Sequence, residues 1–383
     1  MAKTKHYAIV RGLTMGVFAI PWEKCREYVD GFTNAKYKGF SCLEDAVAWY
    51  LAEKGEECFL TEEQLATAKS KASPKDSCQP LRYQRLAEIL PNNEQNCMRP
   101  LDMPKSLIHS ILDWFHVTAL ENMPEDQLQA IKEQNIIYSD GQETGYHGDK
   151  ADHYLLAYMP ANFFKIWLPL WTLLQKQCLG TKLKVLDLGA GPGTSTFSLW
   201  YFFSLLARDN PDREFVLDCC AVERESSFVK IMQSLDATYR SSVQADNLRI
   251  NLRVDQKDIY NYAACEKGQY DLVMESNVLN CNETTSSDKP KSLPLVLMNK
   301  LKEPGTLILL EPGKEKNRNT LGAIQRLLAN YPIMECVVPP KIHAVPLGGL
   351  SLLKSAEKLE IRYTHQEKHW FSYAIFQKGC EQL

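Results

Sequence analysis

The chain has 383 residues, a net charge of −3, and charged and hydrophobic fractions of 24% and 45%. That length points to two or three domains, and the composition to a globular protein rather than a fibrous or disordered one. The near-neutral charge excludes nucleic-acid binding driven by overall electrostatics, so any such binding must come from a local patch. Twelve cysteines are present, yet there is no CxxC pair and no Cys/His cluster at zinc spacing, so no metal site is expected. Cys219 and Cys220 lie in an apolar run and are expected to be buried free thiols. The opening residues, MAKTKHYAIVRG, lack the apolar core of a signal peptide. No apolar run reaches the roughly 18 residues of a membrane span. A reducing, cytoplasmic setting is therefore expected (the matrix of an organelle if the source is eukaryotic), without a disulfide framework.

Residues 1–54 carry a hairpin signal. Tyr7–Val10 and Val17–Ile20 read as strands around a glycine-flanked turn at Arg11–Gly16. Trp22–Val29 reads as a helix and Gly31–Phe40 as a third extended piece. Ser41 followed by Glu44 is a capping-box pattern, opening a helix at Leu43–Lys54. The expected unit is a small ββαβα domain. Residues 55–150 read as a linker and helical region. Ala68–Lys75 is lysine- and serine-bearing and resembles a flexible linker. Leu81–Leu90, Lys105–Ala119 and Asp126–Gln134 read as helices that pack on the following domain.

The third segment, 151–383, opens with a long apolar stretch, Tyr154–Gln177, that Pro160 and Pro169 should break or kink. Asp152, His153, Asn162, Lys165 and Gln175 argue against a membrane helix there. Strands then alternate with helices. The strands are expected at Lys184–Leu188, Phe215–Val222, Leu248–Asp255, Tyr270–Glu275, Gly305–Glu311 and His369–Gln377. The helices are expected at Thr194–Arg208, Glu225–Arg240, Lys291–Lys302 and Asn319–Asn330. Such alternation predicts an α/β fold with a mostly parallel sheet covered on both faces.

Within it, Val185–Gly193 reads VLDLGAGPG. A short apolar strand, three glycines and a helix start form a cradle, because glycine lets the backbone approach a ligand. The N–H groups at the helix start favour an anionic or polar group. The spacing is GxGxG, not the GxGxxG of a nicotinamide dinucleotide site. Asp187 precedes the first glycine, where a carboxylate can bond the amino-acid end of a ligand directly or through water. Glu223 ends the next strand, where an acid can accept both ribose hydroxyls. Asp258 and Ile259 follow the third strand, placed to flank an adenine ring. This set resembles class I S-adenosyl-L-methionine-dependent methyltransferases. The resemblance implies a seven-stranded, Rossmann-like sheet and a cofactor site formed by Asp187, Gly189, Ala190, Gly191, Gly193, Glu223, Asp258, Ile259 and Glu275. A ligand-free glycine turn and a nicotinamide site are the alternatives.

Tyr154–Ala161 (YLLAYMPA) and Glu311-Pro312-Gly313 resemble motifs of the methyltransferase-like family of the mitochondrial and bacterial small ribosomal subunit. The final strand, Trp370–Ala374, also fits that family. Tyr158 stands where the family has arginine. The cysteine cluster thought to hold an iron–sulfur centre in that family would fall within Val337–Leu347, which contains no cysteine. Cys336 and His343 cannot supply four ligands, so no metal cluster is expected and His343 is read as a loop residue.

Residues 6–54 resemble the hybrid-binding module at the N-terminus of ribonuclease H enzymes, also known from viroplasmin proteins. Tyr7-Ala8, Arg11-Gly12, Gly16–Phe18, Trp22, Cys25, Val29, Gly31-Phe32, Ala35, Tyr37-Lys38 and Phe40 carry the match, with the helix holding Glu44, Ala46 and Trp49. The resemblance implies that Tyr7, Trp22, Lys36, Tyr37 and Lys38 contact nucleic acid, the aromatics on sugars or bases and the lysines on phosphates. Gly39 replaces the family's second lysine, which lowers the expected affinity and leaves hybrid, double-stranded RNA and protein open as partners. Packing of a small core is the alternative role for Trp22 and Tyr37.

Glu275–Asn280 lacks the [DNS]-P-P-[YF] tetrad of many amino-methylating enzymes, and Cys281 has no Pro-Cys context for cytosine C5 chemistry. No catalytic base or nucleophile is assigned, since methyl transfer can proceed by positioning alone. The expected function is methylation of RNA, rRNA in particular, or a role in ribosome assembly. A small-molecule or protein methyltransferase and a non-catalytic cofactor-binding factor are the alternatives.

Overall fold

The computed structural model describes residues 5–54, 61, 80–90, 98–99, 101–139, 151–243, 245–259, 262, 269–279, 297–313, 315–331, 333–346 and 368–379. The chain divides into two compact units, Met1–Pro80 and Leu81–Leu383. The linker stretch at 68–75, residues 291–296 of the expected helix and Cys281 lie outside the described residues.

In the first unit, β1 (Lys5–Arg11), β2 (Gly16–Ile20) and β3 (Lys36–Phe40) form an antiparallel sheet of order β2-β1-β3. Alternation along β1 feeds two small cores. Ala8 and Val10 pack with Ala46, Val47 and Tyr50 of α2 (Leu43–Lys54). Tyr7 and Ile9 pack with Cys25 and Val29 of α1 (Trp22–Val29). The third extended piece begins at Lys36 rather than Gly31, because Gly31 (φ 75°) and Asn34 (φ 61°) adopt left-handed backbone that interrupts a strand.

The second unit opens with α3 (Gln84–Ile89), α4 (Lys105–Trp114) and α5 (Glu125–Ser139). Arg82 N–H donates to Asn210 Oδ1 at 2.8 Å and Arg85 N–H to Asp209 Oδ2 at 2.9 Å, tying α3 to the sheet-bearing part. The helix at Lys105 ends at Trp114 instead of reaching Ala119, since His116 takes φ 56°. The apolar stretch at Tyr154–Gln177 is two helices, α6 (Ala151–Asn162) and α7 (Trp167–Gln175). The break falls at 163–166 and not at a proline. Pro160 is inside α6, and Pro169 is the third residue of α7, where an N–H has no intrahelical acceptor. No helix among the described residues is long and apolar enough to cross a membrane.

Seven strands follow, interleaved with helices: β4 (Lys182–Leu188), α8 (Thr194–Asp209), β5 (Phe215–Glu223), α9 (Ser226–Val243), β6 (Leu248–Gln256), β7 (Tyr270–Ser276), β8 (Leu301–Pro312), α10 (Glu315–Leu328), β9 (Met334–Pro346) and β10 (Lys368–Lys378). The sheet order is β6-β5-β4-β7-β8-β10-β9. β4 through β8 are parallel, and β10 runs antiparallel to both β8 and β9. This is the expected Rossmann-like α/β fold. Alternate strand residues feed opposite faces. Val185, Leu217, Met274 and Ile308 join the core of α4 and α6–α9, whereas Leu186, Val222, Val273 and Leu309 join that of α10.

Three sequence expectations need correction here. Leu301 and Lys302 belong to β8 and not to the preceding helix. α10 spans Glu315–Leu328, starting before Asn319. Val337–Pro346 is strand and not loop, so His343 sits in β9 with its ring 4.6 Å from that of Tyr373. Pro339 and Pro340 hid this strand. Proline cannot donate to a ladder, so it is confined to edges and bulges. β9 is an edge strand of the sheet, and the register skips from Tyr373↔Lys341 to Ile375↔Val338 across the two prolines.

Candidate functional site

The sheet order reverses direction between β4 and β7, and the carboxyl ends of β6, β5, β4 and β7 lie side by side. In open α/β sheets that crevice is where ligands bind. The glycine turn fills it. Gly189, Gly191 and Gly193 have φ of 66°, 56° and 89°, backbone that L side chains rarely adopt. Gly189 and Ala190 donate their N–H groups to Val222 O at 2.9 and 3.1 Å, and Gly193 O accepts from Phe197 N–H at 2.8 Å, opening α8. A Cβ on Gly193 would lie 2.8 Å from the Phe197 ring and 3.0 Å from Met232, so close packing as well as φ requires glycine there. At Gly191 the nearest atom to such a Cβ is Tyr154 Cε1, 3.9 Å away, which leaves room against the backbone of the turn.

The acids differ in exposure. Asp187 is buried, and its Oδ2 accepts the Thr196 hydroxyl at 2.7 Å, bracing the strand against the first turn of α8. Burial pushes its pKa up to about 6, with the bonds from Thr196 opposing that rise. Asp187 therefore acts within the strand–turn–helix unit. Glu223 Oε2 accepts Gly191 N–H at 2.8 Å, while Oε1 accepts the N–H groups of Arg224 and Glu225 at 2.7 and 2.9 Å. One carboxylate so fixes the turn after β5 and the glycine turn together. Burial raises its pKa and these three donors oppose the rise. Oε2 keeps a lone pair for a further donor. Asp258 and Ile259 are half-buried just past β6, beside Glu223, whose carbonyl accepts Lys257 N–H at 3.0 Å.

At the end of β7, Glu275 is fully buried, and its Oε1 accepts Val278 N–H at 2.6 Å and Leu279 N–H at 3.3 Å. Its carboxyl group thus shapes the turn after β7. Glu311, at the end of β8, accepts the same Leu279 N–H at 2.9 Å. Burial drives both carboxyls up, Glu275 to about 8 and Glu311 well above the ordinary range, with Glu275 the second cause for Glu311. Asn277 takes φ 60° at the tip of this turn, and Val278 packs on the glycine turn, its Cγ2 2.3 Å from where a Cβ on Gly189 would stand. Lys165, from the α6–α7 turn, reaches Asn277 Oδ1 at 3.2 Å. Lys165 and Asn277 join the site with no motif to announce them; Glu311 was visible only as part of Glu311-Pro312-Gly313.

A cleft of about 1070 Å³ opens at the opposite edge of the sheet, lined by Lys182, Asp271, Thr306 and Gln377 at the other ends of their strands. None of the expected cofactor residues lines it. Among the described residues no three His, Cys, Asp or Glu side chains are grouped to hold a metal. Cys219 and Cys220 are buried free thiols.

In the first unit, Trp22 and Tyr37 are 40% and 39% exposed, and their rings stack at 5.7 Å with 29° between planes. Tyr7, largely buried, supports Trp22 at 5.7 Å. Gly39 pairs with Tyr7 across the ladder, and a Cβ there would lie 2.9 Å from the Tyr7 ring. The residue that replaces the expected lysine is thus the one that lets Tyr7 lie across β3. Lys36 pairs with Glu53, and Lys38 Nζ lies 5.5 Å from the Phe40 ring.

Residues 5–50 match the family model of the ribonuclease H1 N-terminal domain. No curated protein matches the chain. Similar solved structures include a candidate RNA methyltransferase from Pyrococcus horikoshii, 13% identical, covering 55% of this chain and 81% of its own with a TM-score of 0.33. Another is a candidate S-adenosyl-L-methionine-dependent methyltransferase from Methanococcus maripaludis, 14% identical, covering 64% and 99% with a TM-score of 0.35. A third is a SAM-dependent methyltransferase from Aquifex aeolicus, 13% identical, covering 60% and 99% with a TM-score of 0.34. The first unit is thus similar to the ribonuclease H1 N-terminal domain, and likeness to solved structures at this level says nothing of substrate.

Proposed function

We propose that the chain is an S-adenosyl-L-methionine-dependent methyltransferase acting on RNA. The observation that carries this reading is the alignment, along one sheet edge, of Asp258, Glu223, the glycine turn and the turn after β7. Their chemistry fits the cofactor. The open backbone at Gly191 would face its amino-acid portion, the spare lone pair on Glu223 one ribose hydroxyl, and Asp258 with Ile259 its adenine. When bound, the cofactor supplies an electrophilic methyl group on a sulfonium. Asp187 and Thr196 hold the strand against the helix, Glu223 holds Gly191, and Val278 closes the wall beside Gly189. The stacked, exposed pair of Trp22 and Tyr37 favours a nucleic acid as the acceptor, because an aromatic face stacks on bases irrespective of sequence.

The test is to incubate full-length protein with methyl-labelled cofactor and total RNA, with purified rRNA and an RNA–DNA hybrid as separate arms. Label in an RNA fraction, reduced by Trp22→Ala/Tyr37→Ala, is the expected result. Label in protein or metabolites alone would overturn RNA as the acceptor.

A further inference from the structure

The second unit carries an exposed tryptophan and a basic groove that the cofactor site does not use. Trp370 is 58% exposed, more than Trp22 or Tyr37. It lies near the start of β10, beside the end of β8, where Gly313 N–H donates to Trp370 O at 3.0 Å. A Cβ on Gly313 would lie 2.7 Å from the Trp370 carbonyl carbon, so the glycine of Glu311-Pro312-Gly313 lets the two backbones meet. β10 is antiparallel to β8, which puts its first residues at the carboxyl edge of the sheet, the edge that holds the glycine turn. Three strand spacings, roughly 14 Å, separate β10 from β4.

Trp370 alternates onto the face that Ala374 and Phe376 share with Leu321, Ile324 and Leu328 of α10. Ala344 pairs with Trp370 and Ile342 with Ser372, so Ile342, 37% exposed, continues this face along β9 toward Pro340. There a groove of about 280 Å³ runs between α10 and the prolines at 339 and 340. Its helical wall is the stripe Arg318, Gly322, Arg326, spaced by four residues. Arg326 Nη1 lies 3.7 Å from where a Cβ on Gly322 would stand, so the guanidinium lies back along the helix toward Arg318. Proline brings no N–H. The donors are therefore side chains of the helix, the two guanidiniums and the amides of Asn319 and Gln325. Among the described residues no acid lines the groove. Arg326 is exposed, and Arg318 pairs at 3.5 Å with Glu315, an exposed contact of the kind that contributes little.

Guanidiniums bind phosphate in bidentate fashion, and an open indole face stacks on any base. A groove of positive charge leading to an aromatic platform is how single strands are held without regard to sequence. In a chain of net charge −3 this is the kind of local patch that nucleic-acid binding needs. Resting on RNA as the methyl acceptor, we infer that this face holds a single-stranded segment of that RNA beside the reacting nucleotide, with one base on Trp370 and phosphates on Arg318 and Arg326. A duplex keeps its base faces stacked on one another and has none to offer the indole.

The test uses the full chain carrying Trp22→Ala/Tyr37→Ala, so that the aromatic pair of the first unit does not contribute. A short labelled single-stranded RNA of mixed sequence, and the same sequence as a duplex, are titrated by fluorescence anisotropy at several salt concentrations. Log affinity for a single strand falls with log salt by about 0.7 for each phosphate neutralised. Arg318→Gln and Arg326→Gln should each make that slope shallower by about 0.7. Trp370→Ala should weaken single-strand binding about tenfold with the slope unchanged, and Trp370→Phe, which keeps a ring face, should recover most of the loss. Duplex binding should be the weaker and should not respond to Trp370→Ala. A residue that only braces the strand would not separate affinity from salt dependence in this way. Absence of single-strand binding at low salt, an unchanged slope in both arginine variants, or equal binding by folded Trp370→Ala overturns the inference. If Trp370→Ala does not fold, the arginine slopes decide. Cofactor titration of the same proteins is read separately: if the cofactor does not bind while the variants behave as expected, the RNA surface stands and the methyltransferase reading falls.

Discussion

Replacing Gly189 by alanine probes the contact between the glycine turn and the turn after β7. Two costs arise. The backbone has φ 66°, and left-handed conformation costs an L residue about 1–2 kcal/mol. The new Cβ would stand 2.3 Å from Val278 Cγ2, and overpacking of this kind costs about 1–3 kcal/mol. Gly189→Ala should therefore destabilise the second unit by about 2–5 kcal/mol. Val278→Ala removes Cγ2, so in the Gly189→Ala background it should recover the overpacking part and leave the backbone part. Denaturant unfolding of the full chain, followed by tryptophan emission, measures all four corners of this cycle. A favourable coupling of about 1–3 kcal/mol is expected. A single variant within about 0.5 kcal/mol of wild type, or strictly additive changes, would refute the contact and the strain assigned to the turn.

Three further outcomes follow from the same geometry. Thr196→Val removes the hydroxyl that serves the buried Asp187 carboxylate and should cost about 1.5–3 kcal/mol in the same unfolding experiment; an unchanged midpoint would mean that Asp187 is solvated or otherwise served. Glu275 has a folded pKa raised by burial from 4.5 to about 8, so its contribution to stability is complete below pH 4.5 and is lost as pH rises through 8. Melting of Glu275→Gln should accordingly fall less than that of wild type between pH 5.5 and 8.5, and parallel curves would contradict the burial of an ionisable acid there. Trp22→Ala and Tyr37→Ala remove exposed faces, so each should weaken binding of a labelled RNA–DNA hybrid by about tenfold, the low-to-middle part of the range for one stacked base; fluorescence anisotropy that does not change would assign the pair to packing.

The glycine turn was legible because its physics is local. Glycine adopts φ near 60–90° without the cost that other residues pay, so Gly189, Gly191 and Gly193 stand out as letters, and the strand before them is an apolar run because both its faces are buried. The end of β5 was legible for a similar reason, its largely apolar run stopping on Glu223, and β6, at the sheet's other edge, showed as an alternation of polar and apolar residues. β9 was not, since an edge strand may carry prolines that an interior strand cannot. Nor was the burial of Lys165, which the sequence offers only as a charge within an apolar stretch. Its meaning depends on a turn at 163–166 that the helical pattern on either side conceals, and on Asn277 and Glu311, more than a hundred residues away. The sequence also suggested that Asp187 could meet the ligand. Its burial against Thr196 reflects a partner nine positions on, at the start of a helix, that a strand pattern does not reveal.

Calorimetric titration of the full chain with S-adenosyl-L-methionine tests the central claim most directly. Saturable binding in roughly the micromolar range is expected for wild type. Glu223→Ala, folded as judged by circular dichroism, should weaken it about tenfold or more, because a charged acceptor of hydrogen bonds is lost. No binding by folded wild-type protein, or equal binding by Glu223→Ala, would contradict the placement of the cofactor along this sheet edge.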